Sequence, residues 1–290
     1  MSVITVVHQT TYAYAKPVAL GPHRLMSRPR DSHDLRLLDT GLKISPTAKV
    51  NWIHDVFGNS IAVASFAEPA SELSFESSFK AEHFPSAPSQ IELEPFARTY
   101  PFHYAADEIA DLGRTAERHY ADPQRRVDEW ARTFLEGGTR DTMEMLMDIT
   151  AAIKEQFTYA RREEMGTQAP LETLDKQSGS CRDFALFMME AARSLGFAAR
   201  FVSGYLYDEK LIGAEAGVVG SGATHAWAQV YLPGAGWVEF DPTNALVGGR
   251  NLIRVAVARD AMQAAPLTGT YTGSPEDFRG MTVDVKVTAD

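Results

Sequence analysis

Hydrophobic and polar residues alternate along the first part of the chain at the two-residue period of a β-strand. The run SVITVVHQTTYAY, which starts at Ser2, combines β-branched and aromatic residues, and similar runs continue to about Phe84. Turn signals such as Gly58-Asn59 separate these runs. Because the connections are too short for crossover helices, we expect antiparallel strands. The pattern predicts a β-rich N-terminal domain over residues 1–90, built as a meander or a small sandwich.

A polar segment that contains several prolines follows the β-rich part. Its four prolines lie between Phe84 and Phe102: Pro85, Pro88, Pro95 and Pro101. Because the composition changes here, we place a domain boundary near residues 85–102. The second domain is then predicted to span residues 100–290 and to include the C-terminal strands.

Hydrophobic residues recur at helical spacing through the middle of the chain. The spacing predicts two helices within residues 105–135, which Pro123 separates, and a third over residues 142–157. A fourth helix is predicted to start near Cys181 and to stop at Gly196. Strand-like runs follow at residues 199–207, 225–232, 236–240, 253–258 and 282–288. Helices followed by a sheet indicate an α+β domain.

The composition narrows the possible functions. The chain has 290 residues, and 44% hydrophobic and 23% charged residues are ordinary values for a globular protein. The net charge of -10 argues against a nucleic-acid partner, because binding to phosphates needs an excess of Lys and Arg. We find no signal-peptide pattern at the N-terminus and no apolar run near the ~18 residues of a membrane span. The prediction is a cytoplasmic protein without a membrane partner, and its oligomeric state stays open.

The single cysteine excludes an internal disulfide and lies where a helix is predicted to begin. Ser180 suits the N-cap and Asp183 follows three residues later, which is the pattern of a capping box. Cys181 is then the first helical residue, where the helix dipole favours the thiolate. The backbone N–H at that position has no intrahelical partner and can donate to an oxyanion. An inert, buried cysteine is the ordinary alternative, but the serine- and glycine-rich approach favours a nucleophile.

Two further candidate residues lie on a predicted hairpin. His225 opens one strand and Asp241 closes the next, and only the turn at residues 233–235 separates the strands. Both residues are far from the turn, so the hairpin brings them to the same end of adjacent strands. An Asp in this place can hold one tautomer of the imidazole, and Glu239 on the same face is the rival for that role. A satisfied core histidine and an Asp-Pro turn are the ordinary explanations of these residues.

The residues around these three positions resemble a known family. The runs GSCRDFALFMMEAARSLGFAARFVSGYL and THAWAQVYLPGAGWVEFDPTN are similar to the transglutaminase-like core of many bacterial proteins. The β-rich first part and the tail, with RVAVARD and TGTYTG, resemble one bacterial subgroup of that family. The resemblance implies a papain-like triad of Cys181, His225 and Asp241. It implies an α+β fold, with helices packed on an antiparallel sheet, preceded by a β-rich domain.

The resemblance also implies a side-chain donor to the oxyanion, upstream of the nucleophile. Gln177, Gln168 and Tyr159 are the candidates. Trp227, on the same strand face as His225, is a further candidate for contact with the oxyanion or the substrate. No metal or cofactor is expected, because the chain lacks an HExxH motif and has too few cysteines for paired thiolate ligands.

Thiol-dependent acyl chemistry on amide bonds is the predicted function. Relatives include cross-linking transglutaminases, peptidases, deamidases and peptide-N-glycanases, so a peptide or protein substrate and a thioester intermediate are implied. The main alternative is a non-catalytic module that binds a peptide or protein and has a vestigial triad. The sequence also leaves open a metalloenzyme and an acyltransferase for small amines or thioesters. The loop at residues 211–222 is predicted to be a mobile lid or a substrate-binding loop, and a plain hairpin connection is the alternative.

Overall fold

The N-terminal region folds into two antiparallel sheets. The computed structural model describes residues 2–85, 88–162, 166–207 and 224–289. The first six strands are β1 (Ser2–Leu20), β2 (His23–Arg28), β3 (Leu35–Ser45), β4 (Lys49–His54), β5 (Ser60–Ser65) and β6 (Ala70–His83). One sheet contains β1, β6 and β3, and the other contains β2, β5 and β4. Their pairing confirms the predicted antiparallel, β-rich region.

Helices follow in the middle of the chain. Those within the described ranges are α1 (Ala106–Leu112), α2 (Arg126–Arg132), α3 (Thr142–Gln156), α4 (Pro170–Lys176) and α5 (Cys181–Ser194). Pro123 lies between α1 and α2, as its inability to continue a helix predicted. The hydrophobic spacing did not predict α4, which has 7 residues and therefore completes only about two turns.

Short strands position the segments before α3 and α5. They are β7 (Thr99–Tyr100), β8 (Arg140–Asp141), β9 (Thr158–Tyr159) and β10 (Ser178–Gly179). β7 pairs with β8 antiparallel, and β9 pairs with β10 parallel, which holds the end of α3 beside the start of α5. Within the ranges given above, no helix is long and apolar enough to cross a bilayer.

A third antiparallel sheet packs against α5. Its strands, in spatial order, are β14 (Leu246–Val247), β13 (Gly236–Asp241), β12 (Thr224–Leu232), β11 (Ala199–Leu206) and β15 (Leu252–Ala258). β12 and β13 form the predicted hairpin. The aliphatic face of β12 joins the main hydrophobic core with Phe184 and Phe187 of α5. This arrangement confirms the predicted α+β fold, in which helices pack on an antiparallel sheet.

The helix α5 is buried along nearly its whole length. It ends in a Schellman motif, in which Gly196 N–H donates to the Arg193 carbonyl at 3.0 Å and Phe197 N–H donates to the Ala192 carbonyl at 3.1 Å. Gly196 has a φ of +91°, a conformation that glycine adopts without strain. The glycine therefore stops the helix where the sequence predicted.

The last strands of the chain return to the N-terminal sheets. β16 (Leu267–Thr268) pairs with β2, and β17 (Tyr271–Thr272) pairs with the end of β1. β18 (Phe278–Ala289) pairs antiparallel with β1 along most of its length. The strand predicted at residues 282–288 is therefore present, but in the N-terminal sheet rather than beside the helices. The division into two domains stays a prediction.

A hydrophobic interface joins the N-terminal region to the sheet beside α5. Ile4 and Val6 of β1 pack against Tyr205 of β11 and against Ile253 and Val255 of β15. The other half of β1 packs instead in a core with β2 and β5. One long strand thus contacts both layers, so the N-terminal region lies directly behind β11 and β15.

Candidate active site

Cys181 is the first residue of α5, as predicted, and its side chain is largely buried. Ser180 has the extended backbone of an N-cap residue. Asp183 Oδ2 accepts from the Ser180 backbone N–H at 2.8 Å and from the Ser180 hydroxyl at 2.8 Å. Ser180 and Asp183 thus form the predicted capping box at the start of α5. Cys181 lies at the positive end of the helix, where backbone N–H groups have no intrahelical partners.

The Asp183 carboxylate also fixes the segment that precedes α4. Gln168 donates its backbone N–H to Oδ1 at 2.7 Å and its Nε2 to Oδ2 at 3.3 Å. Arg162 donates Nη1 to Oδ1 at 2.7 Å. Burial raises the pKa of Asp183, but these hydrogen bonds outweigh burial and hold the pKa below its usual range. The ionised carboxylate thus ties residues on both sides of α4 to the start of α5.

His225 and Asp241 form a buried, hydrogen-bonded pair. Imidazole Nε2 lies 2.8 Å from Asp241 Oδ2, and both side chains are fully buried. Asp241 also accepts from Asn244 Nδ2 at 2.8 Å and from the Thr243 backbone N–H at 2.9 Å. The hairpin therefore brings together the two residues that the sequence placed at one end of adjacent strands. Asn244 and Thr243 orient the carboxylate.

This pairing favours the charged form of the imidazole. Burial by itself lowers the pKa of His225, but the Asp241 carboxylate and the Cys181 side chain raise the pKa, to about 10. Burial raises the pKa of Asp241, and the His225 charge and the hydrogen bonds hold that pKa below its usual range. Since Asp241 occupies Nε2, the nitrogen that remains for the thiol is Nδ1, which is buried and has no other hydrogen-bond partner in the described ranges. The arrangement suits an imidazolium between a carboxylate and a thiolate.

Glu239, the rival for the orienting role, is engaged elsewhere. Its carboxylate accepts from Gln229 Nε2 at 2.6 Å and from Arg254 Nη1 at 2.9 Å. It also accepts from the indole Nε1 of Trp227. The structure thus pairs His225 with Asp241, a choice that strand alternation could not make because both acidic residues point to one face of β13.

Trp227 packs against the imidazole. It is fully buried, and its ring stacks on His225 with centroids 5.9 Å apart and an angle of 28° between the planes. Because the indole N–H is donated to Glu239, no donor is left for an oxyanion. Trp227 is therefore a neighbour of the histidine, not the oxyanion donor that the sequence allowed.

Tyr159 is brought beside Cys181 by the pairing of β9 with β10. The register sets Tyr159 opposite Gly179, two residues before the cysteine. Its half-buried ring contacts Phe184 of α5, with centroids 6.4 Å apart. Burial, and next the charge of Cys181, raise the pKa of Tyr159. The phenol therefore stays protonated at neutral pH and near the thiol, as an oxyanion donor must.

No described contact joins either glutamine candidate to Cys181. Gln177 ends α4 in a left-handed conformation with a φ of 46°, and its side chain is exposed. Gln168 is buried, and its Nε2 is held by Asp183 and by the Ser178 carbonyl at 3.1 Å. Tyr159 is the predicted candidate that lies next to the cysteine.

Sequence reasoning missed Asn244, which orients the site, and named Gln168 only for another role, as an oxyanion donor. Asn244, which donates to Asp241, lies in the Asp-Pro-Thr-Asn run, where an Asn after a proline is a visible turn signal. Gln168 contacts Asp183 across 15 positions of the chain, and no local pattern predicts such a contact. The loop predicted as a lid, residues 211–222, lies outside the described residues. In the remainder, no three His, Cys, Asp or Glu side chains cluster as metal ligands would.

Comparison with known proteins places the chain in a family. The family described as bacterial transglutaminase-like N-terminal region matches residues 4–82. The transglutaminase-like superfamily matches residues 128–242, which include Cys181, His225 and Asp241. The uncharacterised protein Rv2569c of Mycobacterium tuberculosis strain H37Rv is 30% identical over 298 residues, covering 97% of this chain and 91% of that protein. The chain belongs to the transglutaminase-like superfamily.

Other similar proteins agree with this assignment. The uncharacterised protein ML0607 of Mycobacterium leprae is 27% identical over 273 residues, covering 92% of each chain. A crystal structure from Cytophaga hutchinsonii, of a protein named a putative cysteine protease, is similar with a TM-score of 0.71 and 19% identity. That likeness covers 99% of this chain and 91% of the other, so the transglutaminase-like fold extends over both the β-rich region and the helical core.

Proposed function

We propose that this protein is an enzyme that performs thiol-dependent acyl chemistry on amide bonds, as a cysteine peptidase, an amidase or a transglutaminase-like acyltransferase. The observation that carries the proposal is the buried contact of 2.8 Å between His225 and Asp241, next to a cysteine at the first position of α5. Membership of the transglutaminase-like superfamily supports it, as does the likeness to the Cytophaga hutchinsonii protein. The proposed substrate is a peptide or protein.

In the proposed mechanism, Cys181 gives its proton to Nδ1 of His225, and Asp241 holds the imidazolium through Nε2. The thiolate attacks the carbonyl carbon of a main-chain amide or a glutamine side chain, and the carbonyl oxygen becomes an oxyanion. His225 protonates the leaving nitrogen, the C–N bond breaks, and a thioester to Cys181 remains. Water or an amine then loses a proton to His225, attacks the thioester and releases the thiolate.

Two donors are proposed for the oxyanion. The backbone N–H of Cys181 lies in the first turn of α5, where it has no intrahelical partner. The hydroxyl of Tyr159 is the second, because β9 and β10 bring its ring beside the cysteine. Each donor stabilises the charge that develops on the carbonyl oxygen as sulfur attacks.

The rate of alkylation of Cys181 by iodoacetamide, measured against pH, tests the proposal. The chain has 1 cysteine, so the reaction reports on this thiol alone. We expect fast alkylation well below the ~8.5 at which an ordinary thiol ionises. In His225→Ala the rate should fall to that of an ordinary thiol, whereas the exposed His54→Ala should match the parent.

Two results would contradict this function. Equal profiles in the parent and in His225→Ala would show that the imidazole does not activate the sulfur. No alkylation of the folded parent would show that the sulfur is occluded, and would favour a binding module with a vestigial triad. Cys181 is only 8% exposed, and this low exposure is the observation that favours the binding module.

A further inference from the structure

A chain of buried polar contacts begins at Trp227 and leads away from the cysteine. Trp227 stacks on His225 and donates its indole N–H to Glu239. Glu239 is 6% exposed, so its carboxylate needs partners within the protein. Gln229 supplies one at 2.6 Å and Arg254 supplies another at 2.9 Å. The tryptophan is thus held at its ring by the imidazole and at its N–H by a fixed carboxylate.

Arg254 carries this chain of contacts into the N-terminal region. It lies on β15, and its Nη1 donates to Glu239 while its Nη2 donates to both oxygens of Asp34, at 3.0 and 3.2 Å. Asp34 directly precedes β3 of the N-terminal sheet. The guanidinium is therefore clamped between two carboxylates from different parts of the chain, which fixes its plane. The side chains of Arg254 and Asp34 are 26% and 24% exposed, so solvent screens their contact less than that of a fully exposed ion pair.

A close approach of backbone fixes the other side of the indole. Gly204 of β11 lies opposite His225 in the sheet. A Cβ at this position would lie 2.7 Å from the Trp227 ring and 2.1 Å from the Ile253 carbonyl oxygen. The ring therefore fills a slot that only glycine leaves open, and small movements of the indole meet backbone atoms.

A ring held at one atom retains freedom to tilt. The hydrogen bond from Nε2 to Asp241 fixes one point of the imidazole. Rotation of the His225 imidazole about its Cβ–Cγ bond can still turn Nδ1 away from the thiol, because the hydrogen bond to Asp241 can bend. A second ring stacked over the face of His225 removes this freedom, because tilting would break the stacking contact or push into the indole.

We propose that Asp34, in the N-terminal region, is a positioning residue for His225. It acts through Arg254, Glu239 and the indole of Trp227. This inference rests on the proposed function and adds a role for the N-terminal region, which is to hold the plane of the catalytic imidazole. The relay is defined as Asp34, Arg254, Glu239 and Trp227, and it reaches the site through the stacking contact of Trp227 with His225.

A double-mutant cycle on the single thiol tests the relay. Asp34→Asn removes one end of the clamp, and Trp227→Phe keeps a ring but removes the indole N–H. Each is expected to slow alkylation of Cys181 at pH 6.5 by roughly threefold to tenfold. The double variant should be no slower than the slower single variant, because both changes break the same relay. Asp34→Glu should restore most of the rate, since it keeps the carboxylate.

The matched control is Arg36→Gln, two residues further along the chain and within β3. Arg36 is exposed and pairs with Glu82 at 3.5 Å, away from the relay. It should keep the parent rate at every pH. Thermal unfolding of each variant checks that the comparison is made between folded proteins.

A second measurement covers the case in which Trp227→Phe does not fold. The chain has 4 tryptophans, so the ¹⁵N-labelled indole resonance of Trp227 can be assigned by replacing Trp52, Trp130 and Trp237 in turn. Asp34→Asn should shift this resonance, because Asp34 belongs to the relay that contacts the indole. Arg36→Gln should not shift it, because Arg36 lies outside the relay.

The outcomes separate the relay from the proposed function. If His225→Ala slows alkylation but Asp34→Asn changes neither the rate nor the indole resonance, the relay is overturned and the function stands. Multiplying effects in the double variant would also overturn it, since independent structural damage gives that result. If His225→Ala leaves the rate unchanged, the function and the positioning role both fall.

Discussion

At the scale of single residues, the site depends on hydrogen bonds that reverse the effect of burial. His225 and Asp241 are fully buried, and burial alone would favour the neutral form of each. The Asp241 carboxylate and the Cys181 side chain instead raise the pKa of His225 to about 10, and the His225 charge and hydrogen bonds hold the pKa of Asp241 below its usual range. The imidazole therefore stays cationic across the neutral range. A cationic imidazole held by a carboxylate stabilises a negatively charged thiolate, so this pair suits a cysteine nucleophile better than the neutral hydroxyl of a serine.

Replacing Tyr159 by Phe separates stabilisation of the oxyanion from activation of the thiol. Loss of the hydroxyl removes a donor, so turnover of a fluorogenic peptide amide is expected to fall roughly 10²–10³-fold. Alkylation of Cys181 forms no oxyanion and should keep the parent rate and pH profile. Tyr271→Phe, in the N-terminal sheet, is the control. Equal losses in both reactions would show that Tyr159 acts on the sulfur instead.

At the scale of elements, the joint between β10 and α5 decides where the cysteine lies. Gly179 is the last residue of β10, and a Cβ there would lie 2.8 Å from Asp183 Cβ and 3.1 Å from Gln168 Nε2. Its backbone is not left-handed, so space alone requires glycine. The same Asp183 carboxylate holds the N-cap and the segment before α4. Any displacement of Asp183 is therefore passed to the first turn of α5.

Gly179→Ala should damage both stability and the site. We expect the free energy of unfolding to fall by about 1–3 kcal/mol, because the new methyl group overpacks a joint without free volume. Alkylation of Cys181 should slow as well, since the first turn must shift. Chemical denaturation at pH 7 measures the loss. Gly249→Ala is the matched control, because its Cβ would meet only Pro85 at 3.8 Å. Equal stabilities of the two variants would contradict the argument.

At the scale of the whole molecule, the two parts meet across an interface that buries a histidine. His8 of β1 lies 2.8 Å from the Tyr205 hydroxyl of β11, and its other ring nitrogen lies 3.2 Å from the Thr10 hydroxyl. Burial lowers the pKa of His8 to about 4. The imidazole is therefore neutral in the folded protein at neutral pH. When the pH falls, His8 either stays unprotonated in the folded protein or takes up a proton and destabilises the interface.

Stability should fall in mild acid because of His8. The folded pKa of about 4 lies below the unfolded value of 6.5, so between them the unfolded chain binds the extra proton. The contribution is complete above pH 6.5 and is lost as the pH falls towards 4. Between pH 7.5 and 4.5, His8→Gln should lose about 2–3 kcal/mol less stability than the parent. Urea unfolding at both pH values measures this, with His54→Gln as control. If the free energy of unfolding of His8→Gln changed with pH as much as that of the parent, His8 would be protonated in the folded protein as well.

Local patterns were enough to predict much of this architecture. The start of α5 at Cys181 followed from a cap and a hydrophobic stripe, which are properties of a few consecutive residues. The positions of His225 and Asp241 followed from the two-residue period and from a turn of three residues at 233–235. A short turn leaves the two strands of a hairpin essentially one pairing register, so the residues that lie at its open end follow from their distance to the turn. The helix α4 escaped prediction because its span is too short to show a period.

Only the tertiary structure decided which candidates act together. Glu239 and Asp241 share a strand face, and the approach of Arg254 from β15 is what engages the first and leaves the second for His225. Tyr159 gained its place from a parallel pairing with Gly179, across a segment that contains α4. Hydrophobic period and turn chemistry act over a few residues, and they determined the elements. Contacts between distant segments depend on how those elements pack, and packing is settled by the whole core at once.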